Sequence, residues 1–86
     1  MKLSLNSIDR VNVFNNIDIE KSEMVASYMA VHIKGDKHRT YNLKNDEIPK
    51  TVVKWLNQKE VKPIFKGESK ITKTLTQWMW TYKKER

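Results

Sequence analysis

Cysteine is absent from this 86-residue chain, and glycine, proline and histidine occur twice each. Without thiols there is no disulfide framework, no cysteine-ligated metal centre and no thiol nucleophile, so the fold must be held by packing. Two glycines leave little material for a glycine-rich phosphate loop, and neither a GxSxG elbow nor an HExxH pair occurs. The longest uncharged stretch, residues 24–33 (MVASYMAVHI), is well short of the roughly 18 apolar residues that cross a bilayer as a helix. Asp9, Asp18 and Glu20 interrupt the first twenty residues, which speaks against a secretory signal or transit peptide. A cytoplasmic protein without a membrane partner is the expectation.

Arginine is also scarce, three residues against fourteen lysines, and seven asparagines accompany them. That pattern fits an AT-rich genome, such as that of a bacterium, a phage or a mobile element. It also tempers the net charge of +7, because lysine is a point charge whereas the arginine fork grips phosphate in two places. The excess is uneven: residues 45–86 hold ten basic and five acidic side chains, a surplus of +5, while residues 1–44 contribute +2. Most of the tryptophans and other large rings share that second half.

The length suits one domain, residues 1–86, with a single small core. Residues 2–20 alternate apolar and polar in two pieces, Leu3 and Leu5, then Val11 and Val13, with Ile17 and Ile19 beyond Asn15-Asn16. Short strands with a turn at the Asn pair are expected. Residues 25–33 and 38–43, separated by Gly35-Asp36, read as a β-hairpin with Val25, Ser27, Met29, Val31 and Ile33 on the core side. A helix is expected next, with Asp46 as its N-cap and Pro49 in its first turn. Ile48, Val52, Trp55 and Leu56 form its apolar stripe and leave Lys50 and Lys54 to water. Lys66-Gly67-Glu68-Ser69 makes a further turn.

Residues 70–82 fit two periods. As a helix capped by Ser69 they align Ile71, Leu75, Trp78, Met79 and Tyr82; as a strand they align Thr72, Thr74, Thr76, Trp78, Trp80 and Tyr82. The five-residue apolar stripe favours the helix. The expected fold is therefore α+β: a small antiparallel sheet of three or four strands packed with two C-terminal helices. In outline, strands followed by an acid-capped helix resemble the arrangement of single-strand-binding coactivators, a likeness of topology that leaves out residues 61–86.

Catalysis finds little support. His32 and His38 flank the hairpin turn and could approach one another, but a metal site or an acid–base pair needs further ligands or a pocket. No enzyme activity, cofactor or metal is expected. The leading expectation is non-catalytic binding of DNA or RNA, with Lys50, Lys54, Lys62, Lys66, Lys70 and Lys73 on phosphates and Lys34, Lys37 and Arg39 at the hairpin tip as a second contact. Convergence of the first six on one face would favour it; scatter would favour its rival. That rival is a regulator docking on a larger protein through Trp80 and Tyr82, Trp80 being the ring that falls off the helical stripe. Against both stands the plain alternative that the lysines are a solvated face and Trp55, Trp78 and Tyr82 are core. A homodimer is a further expectation, because the core is small.

Overall fold

The computed structural model describes residues 3–35, 37–43, 48–67 and 70–84. After a 3-10 turn at Leu5–Ser7, the elements in chain order are β1 (Ile8–Asp18), β2 (Glu23–Ile33), β3 (His38–Asn42), α1 (Lys50–Leu56), β4 (Val61–Lys66), β5 (Lys70–Ile71) and β6 (Leu75–Lys84). The strands form one antiparallel sheet in the order β3-β2-β1-β6-β4, and β5 pairs with β6 along its other half.

This corrects the expected fold in two places. The described residues form six strands rather than three or four, and α1, seven residues long, is the one α-helix among them. The expected helix over 70–82 is the strand β6, hydrogen-bonded between β1 and β4. Its alternation serves both faces: Trp80 lies opposite Val13 and Tyr82 opposite Val11, while Met79 lies opposite Phe14 and Thr81 opposite Asn12. A helix would have left β1 with one edge unpaired, and an exposed row of backbone donors and acceptors is costly.

β1 also runs straight through Asn15-Asn16, where a turn was expected. Both amides find partners in neighbouring strands: Ser27 Oγ donates to Asn15 Oδ1 at 2.7 Å, and Gln77 Nε2 donates to Asn16 Oδ1 at 2.9 Å. The turn comes later, where Asp18 Oδ1 accepts the backbone N–H groups of Glu20 and Lys21. The hairpin of β2 and β3 is present, and Gly35 within it has φ +107°, a conformation that L side chains rarely adopt. Asp36, Asp46 and Ser69 lie outside the described residues. The observed helix begins at Lys50, with Pro49 at the capping position and no side-chain cap.

Ile8, Val11, Met29, Val31, Val52, Trp55 and Val61 form the buried core. Leu3, Leu5, Val13, Tyr41, Leu43, Ile48, Leu56 and Tyr82 pack around it. The helix stripe thus behaves as its spacing implies, since Val52 and Trp55 are fully buried and Lys50 and Lys54 are exposed. α1 covers one face of the sheet, at the end where β1 begins and β6 finishes. Among the described residues, no element packs on the other face.

Candidate functional site

Cross-strand register assigns the side chains of that second, open face, because directly paired residues point the same way. Val11 and Val31 are buried under α1, so the alternating partners Arg10 and His32 face outward. One row crosses five strands: His38 on β3, His32 on β2, Arg10 on β1, Lys83 on β6 and Lys62 on β4. Neighbours in such a row have Cα atoms about 4.5 to 5.5 Å apart, and like charges directly opposite one another are destabilising. Three full positive charges and two imidazoles therefore stand side by side across about 19 Å of sheet.

The next rows are polar and aromatic. Thr81 Oγ1 donates to Asn12 Oδ1 at 3.0 Å, and the Asn12 amide nitrogen lies 3.0 Å from His32 Nε2. An amide nitrogen only donates, so His32 Nε2 accepts and the neutral imidazole carries its proton on Nδ1. Phe14 and Tyr28, direct cross-strand partners, stack with ring centroids 4.7 Å apart and an interplanar angle of 13°. Gln77 Nε2 also reaches the Tyr28 hydroxyl at 3.2 Å. Asp18 and its partner Glu23 sit at the opposite end of β1 from Arg10, whereas Asp9, next to Arg10, is close enough to act on His32.

Burial lowers the His32 pKa from its ordinary value, and Arg10 and His38 push the same way while Asp9 opposes them. The two imidazole rings are 5.8 Å apart. A folded-state pKa below the unfolded one means that folded His32 binds a proton less readily. Stability from this group is then present above the unfolded histidine value, near pH 6.5, and is lost as pH falls through the folded value. We expect the thermal midpoint to drop between about pH 7.5 and about pH 5.5, and to drop less in H32Q; equal losses in the two proteins would show that His32 is not the group responsible.

The residues singled out from sequence do not converge. Lys62 and Lys70 lie on the open face, opposite Lys83 and Gln77. Lys50 and Lys54 are on α1, across the sheet. Lys66 ends β4 with its backbone opposite Trp80, and Lys73 lies in the turn between β5 and β6. Arg39 is paired with Val31, on the helix side, while Lys34 and Lys37 flank the hairpin loop. Trp80 and Tyr82 are also on the helix side. Tyr82 packs against the core, and Trp80 lines a cleft of about 270 Å³ with Trp78, Ile17 and Asn15. A larger cavity, about 820 Å³, adjoins the cationic row through Lys83 and is lined also by Lys34, Lys59, Lys84, Asp9 and Glu60; within it Lys84 Nζ is 3.8 Å from Glu60.

Arg10, Lys83, Asn12, Phe14, Tyr28, Gln77 and Thr81 were not among the expected site residues. The available signal was the alternation Arg10, Asn12, Phe14, Asn16, but it gains meaning only beside β6. Among the described residues no three His, Asp or Glu side chains are grouped to hold a metal ion, and no helix is long and apolar enough to cross a membrane. No protein-family model matches the chain, and neither does any curated protein or solved structure.

Proposed function

We propose that this chain is a non-catalytic, single-strand nucleic-acid-binding protein that lays the strand across its open face. The observation that carries the proposal is the cationic row of Arg10, Lys83 and Lys62 beside the stacked Phe14–Tyr28 pair and the amides of Asn12, Asn16 and Gln77. Cations neutralise phosphates and release counterions, rings stack on unpaired bases, and amides hydrogen-bond base edges. A face five strands wide suits a flexible single strand better than a duplex, whose major groove, about 12 Å across, admits a helix or a two-stranded ribbon.

Scatter of the six C-terminal lysines removes the earlier support from clustered charge. By that criterion alone the protein-docking rival would lead, and the cationic row is what restores the nucleic-acid reading. Filter binding of a labelled single-stranded oligonucleotide tests it. Binding is expected at about 50 mM salt and should weaken log-linearly toward about 200 mM. Undetectable affinity for both DNA and RNA at the lower salt overturns the proposal.

The second reading, a protein partner, is favoured by the part of the helix-side face that α1 leaves uncovered. There Met24 and Ile71 are 54% and 69% exposed, close in register to Ile17 and the Trp78–Trp80 cleft. A chain that ignores oligonucleotides at low salt would leave this surface as the functional one.

A further inference from the structure

We infer that His32 and His38 are conditional members of the binding site, entering it as cations when phosphates arrive, so that nucleic-acid binding is coupled to proton uptake. This rests on the single-strand reading above and adds the regulation of that same face. The geometry supplies the coupling. Both imidazoles continue the row that Arg10, Lys83 and Lys62 begin, so a strand following the cations passes over them. Without a ligand, a proton on His32 adds to like charge: His32 faces Arg10 from β1 and His38 from β3, with Lys83 of β6 one strand further, and among the described residues Asp9 of β1 opposes them. A phosphodiester placed over the row reverses the sign of that environment, and the charged imidazole becomes the favoured form.

The hydrogen-bond chain behind His32 accommodates both states. In the neutral form Thr81 donates to Asn12 and Asn12 donates to His32. With Nε2 protonated, rotation of the Asn12 amide puts Oδ1 toward His32 and Nδ2 toward Thr81 Oγ1, and the hydroxyl accepts instead of donating. Every polar atom of the chain keeps a partner, and no backbone need move. The burial that lowers the His32 pKa sets the unliganded ring to the neutral form around neutral pH, ready for uptake.

The test is the affinity for a short oligothymidylate, measured by fluorescence anisotropy at about 50 mM salt and at about pH 7.5 and about pH 5.5. Thymine and the phosphodiester keep their protonation states across this range, so the ligand contributes no titration of its own. Wild type is expected to bind about tenfold tighter at the lower pH, and H32Q/H38Q to bind at the higher pH with little gain on acidification. Equal wild-type affinity at the two pH values overturns the inference while leaving the single-strand reading standing. So does a gain of the same size in the double variant. No binding of this probe or of the matching oligouridylate at either pH removes the single-strand reading, and this inference with it. An NMR titration of the histidine ring protons gives an independent readout without any variant: the His32 midpoint should rise when the oligonucleotide is added, and an unchanged midpoint in a bound complex would count against the coupling.

Discussion

Reversing the charge at Arg10 and Lys83 together (R10E/K83E) is expected to lower affinity for a single-stranded oligonucleotide by about a hundredfold or more at about 50 mM salt. The two residues are direct cross-strand partners at the centre of the cationic row, and a strand crossing the sheet cannot avoid both. The neutralising pair R10A/K83A should lose less affinity, and should flatten the log–log salt dependence by about 0.7 for each phosphate contact removed. A second reversal, K50E/K54E, changes the net charge equally but acts on α1, across the sheet from the row. It should cost several-fold at most. Equal losses from the two reversals would show that binding follows total charge rather than the open face.

Stability separates this result from unfolding. Like charges opposed across strands cost a few tenths of a kcal/mol per pair, so R10E/K83E should melt no lower than wild type. The His32 imidazole, relieved of the Arg10 cation and given an acid in its place, should also titrate higher than it does in wild type. Loss of binding with an unchanged melting point and a raised His32 midpoint assigns the effect to the surface.

Trp55→Ala is expected to be the most destabilising single change, by about 3 to 5 kcal/mol. Trp55 is 1% exposed and is the largest of the fully buried side chains, joining α1 to a core that counts seven buried hydrophobic residues among those described. A domain of this size has a total stability of about 5 to 10 kcal/mol, so the variant should be largely unfolded at physiological temperature. The Trp55 Nε1 is buried with no hydrogen-bond acceptor among the described residues, and such a donor costs about 1 to 3 kcal/mol. Trp55→Phe removes that donor together with some volume and should cost far less than the alanine change. Circular dichroism melts of the two variants test the pair of expectations; similar losses would mean that the indole nitrogen is satisfied in solution. Oligonucleotide binding by Trp55→Phe should match wild type, since α1 lies behind the open face.

Local sequence carried the elements whose partners are close in the chain. The hairpin was legible because its arms alternate around Gly35, and the register that pairs His32 with His38 follows from the short loop. The burial of Val52 and Trp55 followed from helical spacing. Residues 70–82 misled, because their five-residue apolar stripe favours a helix although a two-residue alternation also fits them. β1 decided between them, some sixty residues earlier in the chain, by offering an edge that only a strand can pair. The Asn15-Asn16 pair misled for the same reason. Asparagine favours turns when its amide must find a partner locally, and here Ser27 and Gln77 supply partners from neighbouring strands.

The candidate site divides in the same way. Lys62, Lys70, His32 and His38 are recognisable in the sequence by residue type, whereas Arg10 lies in an ordinary alternating strand and Lys83 just beyond the segment that reads as a helix. What the chain alone determined was what could be excluded: disulfides, cysteine-ligated metals, a glycine-rich nucleotide loop and a membrane-crossing helix, together with an excess of positive charge. Composition can settle those questions because they depend on which residues exist. Which cations act together depends on register, and register is set by the pairing of β1 with β2 and β6, a non-local choice that no single segment encodes. That pairing separated the lysines expected to cluster and brought Arg10 alongside Lys83.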